Sequence, residues 1–180
     1  MSGFWSNSSM EPKRAYRWLL RINGIPTWFC KKVSKPSFAI TETAHTFLNH
    51  KFYYPGRVEW NTVTVTLADP ASPDATKTVM KMIEASGYKL PDSESNATDK
   101  TISKQAATLA VGSFVLEQLD ANGDANESWE LINPWVKDVK FGDLDYEADE
   151  MVDIEIEFRY DYAKCDQQVG AGPVKLNMGV

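Results

Sequence analysis

Two-residue alternation of apolar and polar positions dominates the last third of the chain. From Met151 to Tyr162, "MVDIEIEFRYDY" sets Val152, Ile154, Ile156, Phe158, Tyr160 and Tyr162 on one face, and Asp153, Glu155, Glu157, Arg159 and Asp161 on the other. That is the period of a strand with one side on a core. The same alternation runs through Val58 to Leu67, where Val63, Val65 and Leu67 oppose Thr62, Thr64 and Thr66. With only threonines between its valines, this strand reads as a poorly protected edge, open to pairing with another copy. Tyr16 to Asn23 and Pro26 to Val33 flank Gly24 and predict a hairpin through Asn-Gly. Ser37 to Phe47 predicts a third extended run, leading into "HKFYYPGRVEW", where Pro55-Gly56 is expected to turn the chain. Phe114 to Asp120 and Glu127 to Ile132 form a further pair of strands around "ANGDAN", and Asn133-Pro134 turns into "WVKDVKFGDLDYE".

Helical spacing is convincing once. Ser72 is the expected cap, Pro73 the first helical position, and Val79, Met80 and Ile83 the buried stripe, which stops at Gly87. "LPDSESNATDK" reads as an exposed loop, and "TISKQAATLAVG" fits either a short helix or a strand. These elements predict a mainly β fold: a small sandwich or barrel with one flanking helix. The domain is expected over residues 16–163, between an N-terminal arm, 1–15, and a C-terminal arm, 164–180. The arms are Gly- or Ser-rich and are expected to order only against a partner.

Composition narrows the picture. The chain has 180 residues, 43% of them hydrophobic, and a formal net charge of -6, enough for one core and opposed to the basic footprint of nucleic-acid binders. No leader and no membrane anchor is expected, so Cys30 and Cys165 are read as reduced thiols and Asn96 and Asn126 as unglycosylated.

Candidate chemistry is sparse. "DANGDANESWE" places oxygen ligands at alternate positions, but Ala125 and Leu131 occupy the glycine and bidentate-acid positions of a calcium loop, so a hairpin turn is expected. His45 and His50 would point to opposite faces of a regular strand, away from any cysteine cluster. There is no nucleophile elbow or phosphate loop. No catalytic residue, metal or cofactor is expected. Phe52, Tyr53 and Tyr54, three in a row, cannot share one side of a strand, so at least one must find a contact outside its own core.

The segment "WELINPWVKDVKFGDLDYEADEMVDIEIEFRYDYA", Trp129 to Ala163, resembles the closing strands of the tail tube proteins of contractile-tailed bacteriophages. "FLNHKFYYPGRVEWNTVTVTLAD" is similar to that family's long hairpin and following strand. The resemblance implies a structural subunit of hexameric rings, stacked into a tube with a continuous inner β-barrel. The protruding hairpin, with Phe47, Phe52, Tyr53, Tyr54, Pro55 and Gly56, would stack one ring on the next. Asp153, Glu155, Glu157 and Asp161 would form an acidic row facing the lumen, where it repels passing DNA. Implied partners are other copies, a sheath protein, baseplate and tail-terminator proteins, a tape-measure protein and DNA that passes without specific binding. The place is the virion, assembled in the host cytoplasm. A tube of a type VI secretion or other contractile injection system, with protein cargo, is the alternative; a monomeric ligand-binding β-barrel is the second.

Overall fold

A computed structural model describes residues 11–89, 91, 101–147 and 149–166. Two four-stranded antiparallel sheets face each other. The first runs in the order β1 (Trp18–Ile22), β6 (Phe114–Leu119), β7 (Ala125–Ile132), β10 (Tyr162–Asp166). The second runs β2 (Cys30–Val33), β5 (Val63–Ala68), β9 (Asp153–Arg159), β8 (Trp135–Lys140). A separate two-stranded ribbon joins β3 (Phe38–Phe47) to β4 (His50–Trp60).

Alternation builds the core as the pattern requires. Val63, Val65 and Leu67 of β5 and Ile154, Ile156 and Phe158 of β9 point inward and are fully buried. Leu20 and Phe114 meet them from the first sheet, with the Phe114 and Phe158 rings 5.3 Å apart at 65°. Two helices, α1 (Ala75–Ala85) and α2 (Lys104–Val111), pack on each other, and α2 lies on β8. The single expected helix thus becomes two. Ser103 caps α2 by accepting from the Ala106 amide at 3.1 Å, which settles the ambiguous segment. In α1 the cap is Asp74, accepting from the Lys77 amide at 3.0 Å, and not Ser72. The polar insert at 92–100, residues 1–10 of the N-terminal arm and 167–180 of the C-terminal arm lie outside the described residues.

Three local expectations are corrected. Asn23-Gly24 does reverse the chain, with Gly24 at φ 79° and the Ile25 amide on the Ile22 carbonyl. It does not make a hairpin, because β1 pairs with β6 while β2 pairs with β5. Ile25 and Phe29 are buried while Thr27 and Trp28 stay exposed, so the segment between the strands crosses from one sheet to the other with two side chains turned into the core. β5 is no edge: β2 and β9 cover its two sides. The closing strand is broken at Tyr160-Asp161, so β9 belongs to the second sheet and β10 to the first. Tyr162 accordingly leaves the buried row and is exposed.

One end of the sandwich is closed by polar groups. The Glu127 carboxylate, opposite Gln118 on the inner side of the first sheet, accepts from Lys13, from Lys35 at 2.8 Å and from the indole N–H of Trp129. Gln118 Nε2 donates to the Arg14 and Arg17 carbonyls, both at 2.8 Å. Burial pushes the Glu127 carboxyl up, but the two lysines and the indole outweigh it and hold it at about 2. The hairpin turn expected at "ANGDAN" is present: the Asp120 carboxylate accepts from the Asn122 and Asp124 amides, and Gly123 takes φ 88°.

Candidate assembly interface

The β3–β4 ribbon is the structural feature that the body of the protein leaves unexplained. Ten residues at about 3.3 Å each carry it roughly 33 Å outward, and every residue from Phe38 to Glu59 is exposed. Its root is fixed. The Asn61 amide donates to the Ser37 carbonyl at 2.8 Å, and Trp60 stands between Phe38, 5.1 Å away, and Tyr160, 5.9 Å away. Beyond that root, among the described residues, the ribbon packs along nothing but itself.

Pro55-Gly56 does not turn the chain. The reversal falls at Leu48-Asn49, with Leu48 at φ 51°, and β4 runs straight through the proline. What the pair marks is a bulge: Ile40 faces Val58 and Glu42 faces Pro55, so Gly56 and Arg57 together oppose Thr41. Thr41 Oγ1 accepts the Arg57 amide at 2.8 Å. A β-carbon on Gly56 would lie 2.3 Å from that same oxygen, so only glycine fits.

Register assigns the faces. On one, Phe38, Ile40, Glu42, Ala44 and Thr46 pair with Trp60, Val58, Pro55, Tyr53 and Lys51. On the other, Thr43, His45 and Phe47 pair with Tyr54, Phe52 and His50. Cross-strand partners share a side, so the two histidines lie on one face, one on each strand, contrary to the single-strand reading. The His50 and Phe52 rings touch edge to face at 4.8 Å. Phe47, Phe52, Tyr53 and Tyr54 are 46–63% exposed, so all three consecutive aromatics lack a place in the subunit's own core. Sequence reasoning missed Phe38, Ile40 and Val58, equally exposed at 53–54%; alternation at the start of β3 was the available signal.

The acidic row does not stand alone. Asp153 is held by Lys31 at 2.7 Å, Glu155 by Lys140 at 3.1 Å, Glu157 by Lys137 at 3.3 Å, and Asp161 by Lys104 at 2.8 Å. The Thr62 hydroxyl, followed by Lys137, keeps Glu157 below the usual carboxylate range; Asn133 and then Lys104 do the same for Asp161. Lys32 and Arg159 lie on the same sheet face as Asp138, so the surface that β9 presents is close to charge-balanced.

Among the described residues, no group of three or more His, Cys, Asp or Glu is placed to hold a metal. No helix there is long and apolar enough to cross a membrane. Cys30 and Cys165 are free thiols.

No protein-family model matches the chain, and no curated protein matches its sequence. Its fold does match solved structures. A chain of the sheath/tube terminator of an extracellular contractile injection system, PVC, superposes with a TM-score of 0.64 at 13% identity, covering 88% of this chain and 99% of that one. A chain of the sheath–tube complex of the same system gives 0.58 at 15%, covering 87% and 92%. A chain of the anti-feeding prophage baseplate gives 0.60 at 14%, covering 87% and 96%. The class is therefore a mainly β, two-sheet fold of the kind found in contractile injection assemblies.

Proposed function

We propose that this protein is the structural subunit of a bacteriophage tail tube: it closes into hexameric rings that stack into the inner tube through which the genome is delivered. The observation that carries this reading is the ribbon, a 33 Å class of projection, by the rise per residue, lined with exposed aromatics on a body of tube-like fold. A two-stranded ribbon is marginally stable alone in water, and its exposed apolar residues are satisfied when other copies cover them. The chain works by assembly and not by catalysis. A sheath outside, a baseplate and a terminator at the ends and a tape-measure protein inside complete the set of partners, in a virion assembled in the host cytoplasm.

The outer face of β9, with Asp153, Glu155 and Glu157, is assigned to the lumen together with Asp161, which lies just past the break in the strand. Its lysine partners change how it would act, since a balanced wall neither traps nor strongly repels a polyanion. The alternative, the tube of an extracellular contractile injection system with protein cargo, is favoured by one observation: the solved structures just described come from such systems. The ligand-binding barrel needs an apolar chamber, and the space between these sheets is filled by Phe29, Phe114, Phe158 and their neighbours.

Negative-stain microscopy of the purified chain tests the reading. Six-fold rings or stacked tubes are expected; a strictly monomeric protein at high concentration would overturn it. Glu155→Cys, with Cys30 and Cys165 removed, tests the lumen assignment. A bulky polymer maleimide should label it slowly in long tubes and quickly in free subunits, and equal rates would put that face outside.

A further inference from the structure

We infer that Asn122-Gly123, at the tip of the β6–β7 turn, is a site of spontaneous covalent modification. The asparagine deamidates through a cyclic imide to aspartate and isoaspartate, while the chain's other Asn-Gly pair, Asn23-Gly24, is kept intact by the fold. The site does not depend on the tube reading above, since it needs only the folded subunit and water.

The chemistry lies in the dipeptide. The backbone nitrogen of Gly123 attacks Cγ of the Asn122 carboxamide; the N–Cγ bond forms, the Cγ–Nδ2 bond breaks, and the proton of the attacking nitrogen departs with the ammonia. Water then opens the imide at either carbonyl. Opening at Cγ gives aspartate, and opening at the backbone carbonyl gives isoaspartate, with the chain now running through Cγ. One water is consumed and one ammonia released. A following glycine permits the attack because no β-carbon crowds its nitrogen and its backbone turns freely. Asn23 and Asn122 both have such a neighbour.

The fold treats the two pairs differently. Ala121, Asn122, Gly123 and Asp124 are all exposed. The turn is gripped by the Asp120 carboxylate, which accepts from the amides on either side of Gly123, those of Asn122 at 2.8 Å and Asp124 at 2.9 Å. The Gly123 amide itself makes a long bond to the Asp120 carbonyl, at 3.4 Å. A β-carbon on Gly123 would meet nothing within 4 Å, so the carboxamide has room to swing onto the nitrogen. Gly24 has the same open space, and the difference lies with the asparagine. Asn23 lies against the chain at Gly112, where a β-carbon would stand 3.1 Å from both its Cβ and its Nδ2, and its amide donates to the Ser113 carbonyl at 3.4 Å. Its flanks, Ile22 and Ile25, are buried, and the Ile25 amide donates to the Ile22 carbonyl at 3.2 Å. Bringing Cγ of Asn23 onto the Gly24 nitrogen therefore requires a turn between two core side chains to open, whereas the exposed tip opens without disturbing the core.

Each event places a negative charge between Asp120 and Asp124, and the isoaspartyl product adds a methylene to the backbone that Asp120 grips. The change is irreversible without repair, so it accumulates with the age of the chain. It also presents the turn to one class of partner, a methyltransferase that recognises isoaspartyl carboxylates.

Folded wild-type protein and the same protein unfolded in guanidinium are incubated side by side at mildly alkaline pH. The peptides holding Asn23 and Asn122 are followed by mass spectrometry, and isoaspartate is counted by methyl transfer from an isoaspartyl methyltransferase. In the unfolded chain the two sites share a dipeptide and should react at similar rates. On folding, Asn122 should keep its rate to within about three-fold while Asn23 slows by about ten-fold or more, as expected where a turn must open locally before it reacts. Asn122→Gln, one methylene longer, should remove the methyl-accepting site from the folded protein and leave its thermal melting unchanged. Equal rates at Asn23 and Asn122 in the folded protein, protection of both, or undiminished methyl transfer to Asn122→Gln would each overturn the inference, and none of them touches the tube reading.

Discussion

Glu127→Gln removes a buried carboxylate that ties three parts of the fold together: the segment before β1 through Lys13, the β2–β3 connection through Lys35, and β7 itself. Its side chain is only 9% exposed, and its carboxyl is held at about 2 against an ordinary 4.5. At 1.36 kcal/mol for each factor of ten, that depression bounds the contribution at about 3 kcal/mol. The two lysines are nearly half exposed, at 48% and 46%, so water screens part of the attraction and they rehydrate when the charge is removed. About 2 kcal/mol is the expected loss at pH 7. For a chain of this size that lowers the melting temperature by roughly 4–8 °C. The sign follows from the direction of the shift. A carboxyl lowered on folding stabilises fully above its unfolded value of 4.5, and the gain disappears as pH falls toward 2. Denaturant unfolding of both proteins between pH 7 and pH 2.5 should therefore show a gap that is constant down to about pH 4.5 and then narrows. Other acids titrate alike in both proteins, so the difference isolates Glu127. A gap of the same size at pH 7 and pH 2.5 would refute the electrostatic account and leave only lost packing.

Other outcomes follow from single contacts. Gly56→Ala meets Thr41 Oγ1 at 2.3 Å and its carbonyl oxygen at 2.9 Å, so hydrogen exchange of the Arg57 amide should accelerate and ring assembly fail, while the body melts as before. Leu67→Ala empties a fully buried site between the sheets and should cost about 2–5 kcal/mol in denaturant unfolding. Ser103→Ala deletes the acceptor for the Ala106 amide and should cost about 1 kcal/mol, with α2 exchanging sooner than α1.

Where local chemistry decided a structure, the sequence was readable. Val63, Val65 and Leu67 sink into the core because a pleated strand has no other way to place them, and Ile154, Ile156 and Phe158 follow the same rule. Asp120 and Gly123 likewise make the β6–β7 turn with their own side chain and backbone. What failed depended on partners distant in sequence. Nothing near Val63 announces that Val33 and Phe158 will cover its strand. Asn23-Gly24 turns as its chemistry demands, but Ile25 and Phe29 then follow the core and not the neighbouring strand. Pro55-Gly56 carries turn residues, yet Thr41 across the ladder makes them a bulge. The parity of Phe52, Tyr53 and Tyr54 was enough to send an aromatic outside; their division between two faces depends on the pairing register and could not be read from β4 alone.

The lysines opposite the acidic row bear on what a tube of this protein would carry. Four carboxylates read along one run of sequence look like a repelling wall, but Lys140 and Lys137 come from the flanking strand β8, Lys31 from β2 on the far side of β5, and Lys104 from α2, each within 3.3 Å of its partner. The chain's net charge of -6 must then reside elsewhere, and the exposed loop after β8 supplies Asp143, Asp145, Asp149 and Glu150. On the proposed reading, low adhesion in the lumen comes from ion pairs satisfied within the subunit, with threonines between them, and not from a uniform field. A polyanion gains nothing by displacing lysines already engaged, and a folded protein meets no dominant charge of either sign. On that reading the wall places no electrostatic preference on nucleic acid over protein.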